Sequence, residues 1–383
     1  MTGALQTDMS DSYQQGFFHG DREDVDGLID VAVNVNDDGP PAFLADALAN
    51  PKLALRYPNA GRATAVVAES HHVSVDQVLC LNGSSEGFSL IAQALLPPGE
   101  KSALVIHPQF SGPDEALVSR RICTHHHILD PAQGFVLNPD EVPDFGDVVF
   151  IGNPTNPTSV LHRRDDIASL RMRRDGRRRI VVVDEVFLDA VPGEPESMIG
   201  SQMDGVIVLR SLTKTFGIPG IRAGYAVGDP ALIAKMSQLQ QLWSVSGQAL
   251  RALELCRGAQ GVEFSARRAR QLSAWKREFV AWLREEGIEV AGSPQAPFVL
   301  VHVEDRWTTP EPCLPARQSL DEQFLLRERL RREQIRVRRG ETFPGLDSSW
   351  VRIAVRRPEV NRCVVEALGR ILTTNNDSLH DSI

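Results

Sequence analysis

Short apolar runs rich in β-branched residues recur along this chain, separated by longer amphipathic stretches. "SALVIHP", "DVVFIGNP", "RIVVVDEVF" and "GVIVLRS" each place apolar residues in succession instead of alternating them with polar ones. A strand buried on both faces needs that pattern, and both faces are buried when helices cover a parallel sheet. The expected fold class is therefore α/β, on a mainly parallel sheet. With 383 residues, 42% of them hydrophobic, the chain can bury a large core and divide into two domains.

The run from Asp229 to Arg284 is helix-compatible, and "IRVRRGETFPGLDSSWVRIAVR" reads as strand, Pro-Gly loop, strand. A smaller α+β domain is expected to follow the large one. The expected boundaries are an N-terminal arm at 1–40, a large domain at 41–240, a small domain at 241–375 and a frayed tail at 376–383, where apolar residues are scarce.

A formal net charge of -9 argues against a nucleic-acid surface, and no apolar run approaches the roughly 20 residues that cross a bilayer. The start, "MTGALQTDMSDSYQQ", has neither a basic nor an apolar signal region, so the expected location is cytoplasmic. Five scattered cysteines, Cys80, Cys123, Cys256, Cys313 and Cys363, fit reduced thiols better than a disulfide framework. "THHH" at 124–127 shows no metal-ligand spacing, and adjacent strand residues point to opposite faces, so these read as ordinary histidines with no metal expected. "RMRRDGRRR" at 171–179 reads as a solvated helix end and loop, and Arg356 and Arg357 read as solvated charges.

Ligands of open α/β sheets sit beyond the carboxyl ends of the strands. Here "VVFIG" runs into "NPTNPTS", "RIVVV" into Asp184-Glu185, and "VIVL" into "RSLTK", which gathers an amide, an acid and an amine at one edge. "LNGSSEGF" sets Gly83, Ser84 and Ser85 before a helical pattern, a natural phosphate seat that also suits an ordinary N-cap. Lys214 at a buried strand end is costly unless something nearby uses it.

Together these motifs resemble the class I/II aminotransferases of pyridoxal-phosphate fold type I, closest to the cobalamin-pathway threonine-phosphate decarboxylases and the histidinol-phosphate aminotransferases. Ser211, Thr213, Lys214 and Arg222 stand at the spacing of the family's lysine signature, and the likeness runs from "AVNVNDDGPP" to "WVRIAVR". The resemblance implies pyridoxal 5'-phosphate as cofactor and Lys214 as its Schiff-base partner. It implies that Asp184 faces the pyridine nitrogen, Asn156 the ring oxygen and Phe110 the ring face. The phosphate is assigned to Gly83, Ser84, Ser85, Ser211, Thr213 and Arg222, joined by Tyr57 from a neighbouring subunit of a homodimer with shared sites. Arg352 matches the arginine for the substrate carboxylate, Asn34 an arm residue over the substrate, and Arg338 a position that reaches a substrate phosphate.

Two residues depart from the family pattern. Phe187 stands where many members carry a tyrosine, and Asp37 where a proline often follows the arm's "N-x-N". The implied substrate is a small phosphorylated amino acid or amine; transamination, decarboxylation and, in another class, cofactor binding without turnover stay open at this point.

Overall fold

A computed structural model describes residues 27–200, 202–302 and 325–380. The strands are β1 (Ile29–Asp30), β2 (Val78–Asn82), β3 (Ser102–His107), β4 (Cys123–Ile128), β5 (Val148–Gly152), β6 (Ile180–Asp184), β7 (Val206–Ser211), β8 (Ala223–Gly228), β9 (Glu289–Val290), β10 (Phe298–His302), β11 (Ile335–Arg336), β12 (Arg338–Arg339) and β13 (Trp350–Ala354). The α-helices are α1 (Ala42–Leu48), α2 (Gly61–His71), α3 (Ser84–Leu95), α4 (Gly112–Ser119), α5 (Arg164–Ser169), α6 (Pro230–Leu239), α7 (Gly247–Arg257), α8 (Ala259–Glu285), α9 (Leu325–Arg332) and α10 (Pro358–His380).

The four apolar runs become β3, β5, β6 and β7 of a seven-stranded sheet ordered β2-β8-β7-β6-β5-β3-β4. All neighbours in it are parallel except around β8, which is antiparallel to β2 and to β7. Side chains from both faces of the sheet enter separate buried clusters, Val149, Val181 and Val208 in one and Phe150, Val182 and Leu209 in the other. That two-sided burial is why the strands read as continuous apolar runs. The architecture is the expected one, an α/β large sheet followed by a smaller α+β part.

The second sheet is antiparallel, ordered β12-β13-β10-β9, and its core includes Val299, Val301, Val351 and Ile353. Helix α7 packs with α1 and α2 against the large core through Ala249, Leu250 and Leu253. Helix α8 then adds Phe279, Val280 and Leu283 to the small core. The passage from one core to the other thus lies within α8, later than residue 241. Helix α10 extends to His380, into the span expected to fray, and residues 381–383 lie outside the described residues.

The arm from 27 to 40 binds to both domains. β1 pairs in parallel with β11, and Val31 O accepts from Ala354 N at 2.8 Å. Arg356, expected in solvent, is buried. Its guanidinium donates to the carbonyls of Asp30 at 3.2 Å, Val33, and Val35 at 3.2 Å. Desolvation is offset by these oxygens and by Asp37, whose carboxylate lies 3.8 Å from Arg356 Nε and 3.9 Å from Arg268. The Asp37 departure therefore supplies a counter-charge for two buried cations. Arg357 is exposed as expected. In 171–179, Arg173 and Arg179 are also buried, capping the carbonyls of Gly146 and Leu170, while Arg174 to Arg178 are exposed.

Candidate active site

Five strands of the large sheet, β2, β3, β5, β6 and β7, end at one edge, and the loops leaving them carry the polar residues singled out by sequence. The turn after β2 holds Gly83 at φ +74, a left-handed conformation that glycine adopts without strain. A Cβ on Gly83 would also meet Arg222 Nη2 at 2.3 Å, and one on Gly224 would meet Ser84 N at 2.5 Å. Two missing side chains thus let β8 and Arg222 close on the first turn of α3. Arg222, itself left-handed at φ 62, donates to Ser85 Oγ at 3.1 Å and to Pro219 O at 3.1 Å. Ser211 Oγ lies 2.7 Å from Thr213 Oγ1. The free N–H groups and positive dipole end of α3 and the exposed Arg222 guanidinium make a cradle suited to a phosphate.

Asp184 ends β6, and its Oδ1 accepts from Val186 N at 3.2 Å. Burial pushes its carboxyl up to about 7, a rise opposed by that backbone donor and by the nearby Lys214. Such a carboxylate is costly without a cationic neighbour, which a protonated ring nitrogen would provide. The strand ends beneath it are braced by an ion-pair network that the sequence did not disclose. Buried Arg210 lies 2.8 Å from Glu185 and 2.7 Å from Glu194. Its one signal was a charged residue inside an apolar run.

Lys214 sits in the turn after β7, where its carbonyl accepts from Asn36 N of the arm at 2.9 Å. Gly217, at φ +64, allows the closest approach, since a Cβ there would meet Gly39 C at 2.8 Å. A cavity beside Lys214 is lined by Asn34, Asn36, Arg268, Pro297 and Arg356, and so lies under the arm. Both amide atoms of Asn34 are buried without a hydrogen-bond partner. An orphaned amide next to a cavity is costly in the free protein and is suited to a ligand.

Arg352, on β13, is buried and donates to Asn156 Oδ1 and Ala32 O. Burial, together with the positive charges of Arg338 and Arg356, drives its guanidinium pKa well below the usual range, so an anion there is strongly favoured. Arg338 is its register partner across the β12–β13 ladder. Phe187 packs edge-on against Phe298 at 5.0 Å, and Phe298 lies 5.3 Å below the Arg352 guanidinium. The ring that replaces the family's tyrosine thus supports the platform under Arg352. Phe110 lies 6.4 Å from Phe88, on the loop that leaves β3. Tyr57 stands apart: it is 75% exposed and stacked at 4.2 Å on Trp243.

A family model, aminotransferase class I and II, matches residues 26–368. The chain belongs to that family. It is 42% identical over 344 residues to a histidinol-phosphate aminotransferase of Mycobacterium bovis, covering 88% of this chain and 86% of the relative. It is 31% identical over 360 residues to the threonine-phosphate decarboxylase of Salmonella typhimurium, covering 91% of this chain and 92% of that one. The solved histidinol-phosphate aminotransferase of Clostridium acetobutylicum superposes with a TM-score of 0.76 at 23% identity, over 91% of this chain and 100% of that one. The chain is accordingly a pyridoxal-phosphate enzyme. Among the described residues, no helix is long and apolar enough to cross a membrane.

Proposed function

We propose that the enzyme transfers the amino group of a small phosphorylated amino acid or amine. The observation that carries this reading is the pair of buried arginines, Arg338 and Arg352, facing one another in register on the small sheet. Two adjacent desolvated guanidiniums suit a substrate with two anionic groups, or one doubly charged group. The names of the two relatives at 42% and 31% identity, both of which act on phosphorylated compounds, support the same substrate class.

In this reading pyridoxal phosphate, when bound, accepts the electrons released as a bond to the substrate Cα breaks. Gly83, Ser84, Ser85, Ser211, Thr213 and Arg222 would hold its phosphate, Phe110 would cover the ring, Asn156 would meet the ring oxygen, and Asp184 would keep the ring nitrogen protonated. Lys214 would hold the cofactor and would carry the proton to and from the substrate Cα. Arg352 fixes the carboxylate, Arg338 the phosphate, and Asn34 closes over the substrate, excluding water. Their joint orientation decides which bond is aligned to break. Tyr57, exposed and stacked on Trp243, completes the phosphate cradle of a second copy, which makes the working unit a homodimer. This part of the reading is tested by the molar mass in solution and by the cofactor affinity of Tyr57→Phe.

Assays of O-phosphothreonine and histidinol phosphate, with and without 2-oxoglutarate, test the reaction. Acceptor-dependent amino transfer is expected. Carbon dioxide release without an acceptor would replace transamination by decarboxylation, the reaction named for the Salmonella relative. Turnover of plain amino acids, with both phosphorylated compounds inert, would overturn the phosphate role of Arg338.

A further inference from the structure

Away from these residues, three side chains from three elements converge at the edge of the large sheet. His107 ends β3, Asp114 lies in the first turn of α4, and His126 lies on the edge strand β4. Asp114 Oδ1 is 2.9 Å from His126 Nε2, and Asp114 Oδ2 is 3.2 Å from His107 Nε2. Among the described residues this is the one group of three potential ligands whose donor atoms all lie within 4.8 Å of each other. Alternation along β4 rules out a site made of neighbouring histidines, but it does not prevent one histidine from meeting ligands on other elements.

The hydrogen bonding inside the cluster is incomplete. The His126 contact is a hydrogen bond, and His107 Nε2 lies at ion-pair distance from the other carboxylate oxygen of Asp114. His107 is fully buried, and its Nδ1 has no hydrogen-bond partner. A buried polar atom left unmatched is costly, and a carboxylate shared between two imidazoles is a ready-made donor set. Ligands about 2.0–2.2 Å from a tetrahedral ion lie roughly 3.3–3.6 Å apart, so these side chains need to open by only a few tenths of an ångström to admit one.

We propose that His107, Asp114 and His126 form a binding site for a divalent transition-metal ion, with zinc the best match. Two imidazoles and a carboxylate are the donor set of borderline ions and not of calcium or magnesium. The carboxylate can offer both oxygens, and the partly exposed side of His126 gives the ion its entry and a position for water. The site ties the edge strand β4 to the end of β3 and to α4. Phe110 lies three residues beyond His107, on the loop that joins β3 to α4, so the ion would also stiffen the segment that presents that ring.

The test uses the purified holoenzyme and cobalt(II) as the optical probe, with zinc content measured by mass spectrometry. Wild type is expected to take up one equivalent of cobalt per chain with a visible ligand-field spectrum, to be displaced by zinc, and to melt at a higher temperature as zinc is added. His126→Ala and Asp114→Asn should lose all three responses. The double variant Cys123→Ser/His125→Asn, which removes the neighbouring exposed thiol and imidazole on the other face of β4, should keep them. His126 is the most exposed of the three, so His126→Ala serves if Asp114→Asn does not fold, with the cofactor absorbance reporting folding. No one-equivalent cobalt spectrum in wild type, or a spectrum that survives both cluster variants, would overturn the site.

Discussion

Arg338 and Arg352 lie directly opposite each other on antiparallel strands and share one aromatic neighbour, with their guanidinium carbons 5.0 Å and 6.0 Å from the Phe343 ring centre. Like charges in register are ordinarily destabilising in a sheet. A substrate anion bound between them would offset that repulsion further, and in the proposed function the two residues divide the work. Arg338→Ala should lower kcat/KM for a phosphorylated substrate by roughly thirtyfold, about 2 kcal/mol, and leave an unphosphorylated amino donor nearly unchanged. Arg352→Ala should impair every carboxylate-bearing substrate. Steady-state kinetics on matched phosphorylated and plain donors checks both.

Lys214→Ala should bind pyridoxal phosphate without forming a link that borohydride can fix. Wild type treated in the same way should show the added mass on the peptide containing Lys214. Reducible, covalently held cofactor in the alanine variant would refute the assignment.

Asp184→Asn should keep the cofactor yet lose several kcal/mol of transition-state stabilisation, because an amide cannot hold the ring nitrogen protonated. The cofactor-free proteins should differ in pH dependence as well. Burial raises the Asp184 carboxyl from its usual value to about 7 in the folded state. Between about pH 4 and 7 the folded chain then holds a proton that the unfolded chain has released, so this residue lowers stability progressively as pH rises through that window. Denaturation of cofactor-free wild type and Asp184→Asn at pH 5 and pH 8 should show wild type losing ground at the higher pH.

Lys276, buried in α8 and donating to Gln295 O, gives the opposite slope. Burial lowers its ammonium to about 7. From pH 7 to about 10.5 the unfolded chain binds the extra proton, so folding stability rises with pH across that range. Lys276→Met should flatten this rise in a pH series of denaturant midpoints.

Gly83→Ala should weaken cofactor binding by at least about 1–3 kcal/mol, since the left-handed backbone is strained and the new methyl displaces Arg222. Titration of the cofactor-free variant with pyridoxal phosphate measures the loss.

Much of this was legible in the sequence because it depends on local pattern. Both-face burial wrote β3, β5, β6 and β7 as unbroken apolar runs, and the strand-end residues Asp184 and Lys214 fell at one sheet edge by the geometry of parallel strands. Arg356 was not legible. Nothing near it in the chain shows that carbonyls of Asp30, Val33 and Val35, more than 300 residues away in sequence, surround its guanidinium. The meeting of His107, Asp114 and His126 was hidden for the same reason, since it arises from where three elements pack. The packing of α7 was hidden because amphipathic periodicity marks an apolar face without naming the core it joins.

The arm's two attachments have a mechanical consequence. At one end it is a strand of the small domain, paired with β11 and gripped by Arg356; a few residues later Asn36 N holds the Lys214 carbonyl. Asn34 lies between these anchor points. The segment is thus a tether, and a swing of the small domain away from the sheet edge would have to stretch or break it next to Lys214. With Asn34 in its proposed place over the substrate, such an opening would loosen that cover in the same event, and the arm's hydrogen bonds would set its energetic threshold.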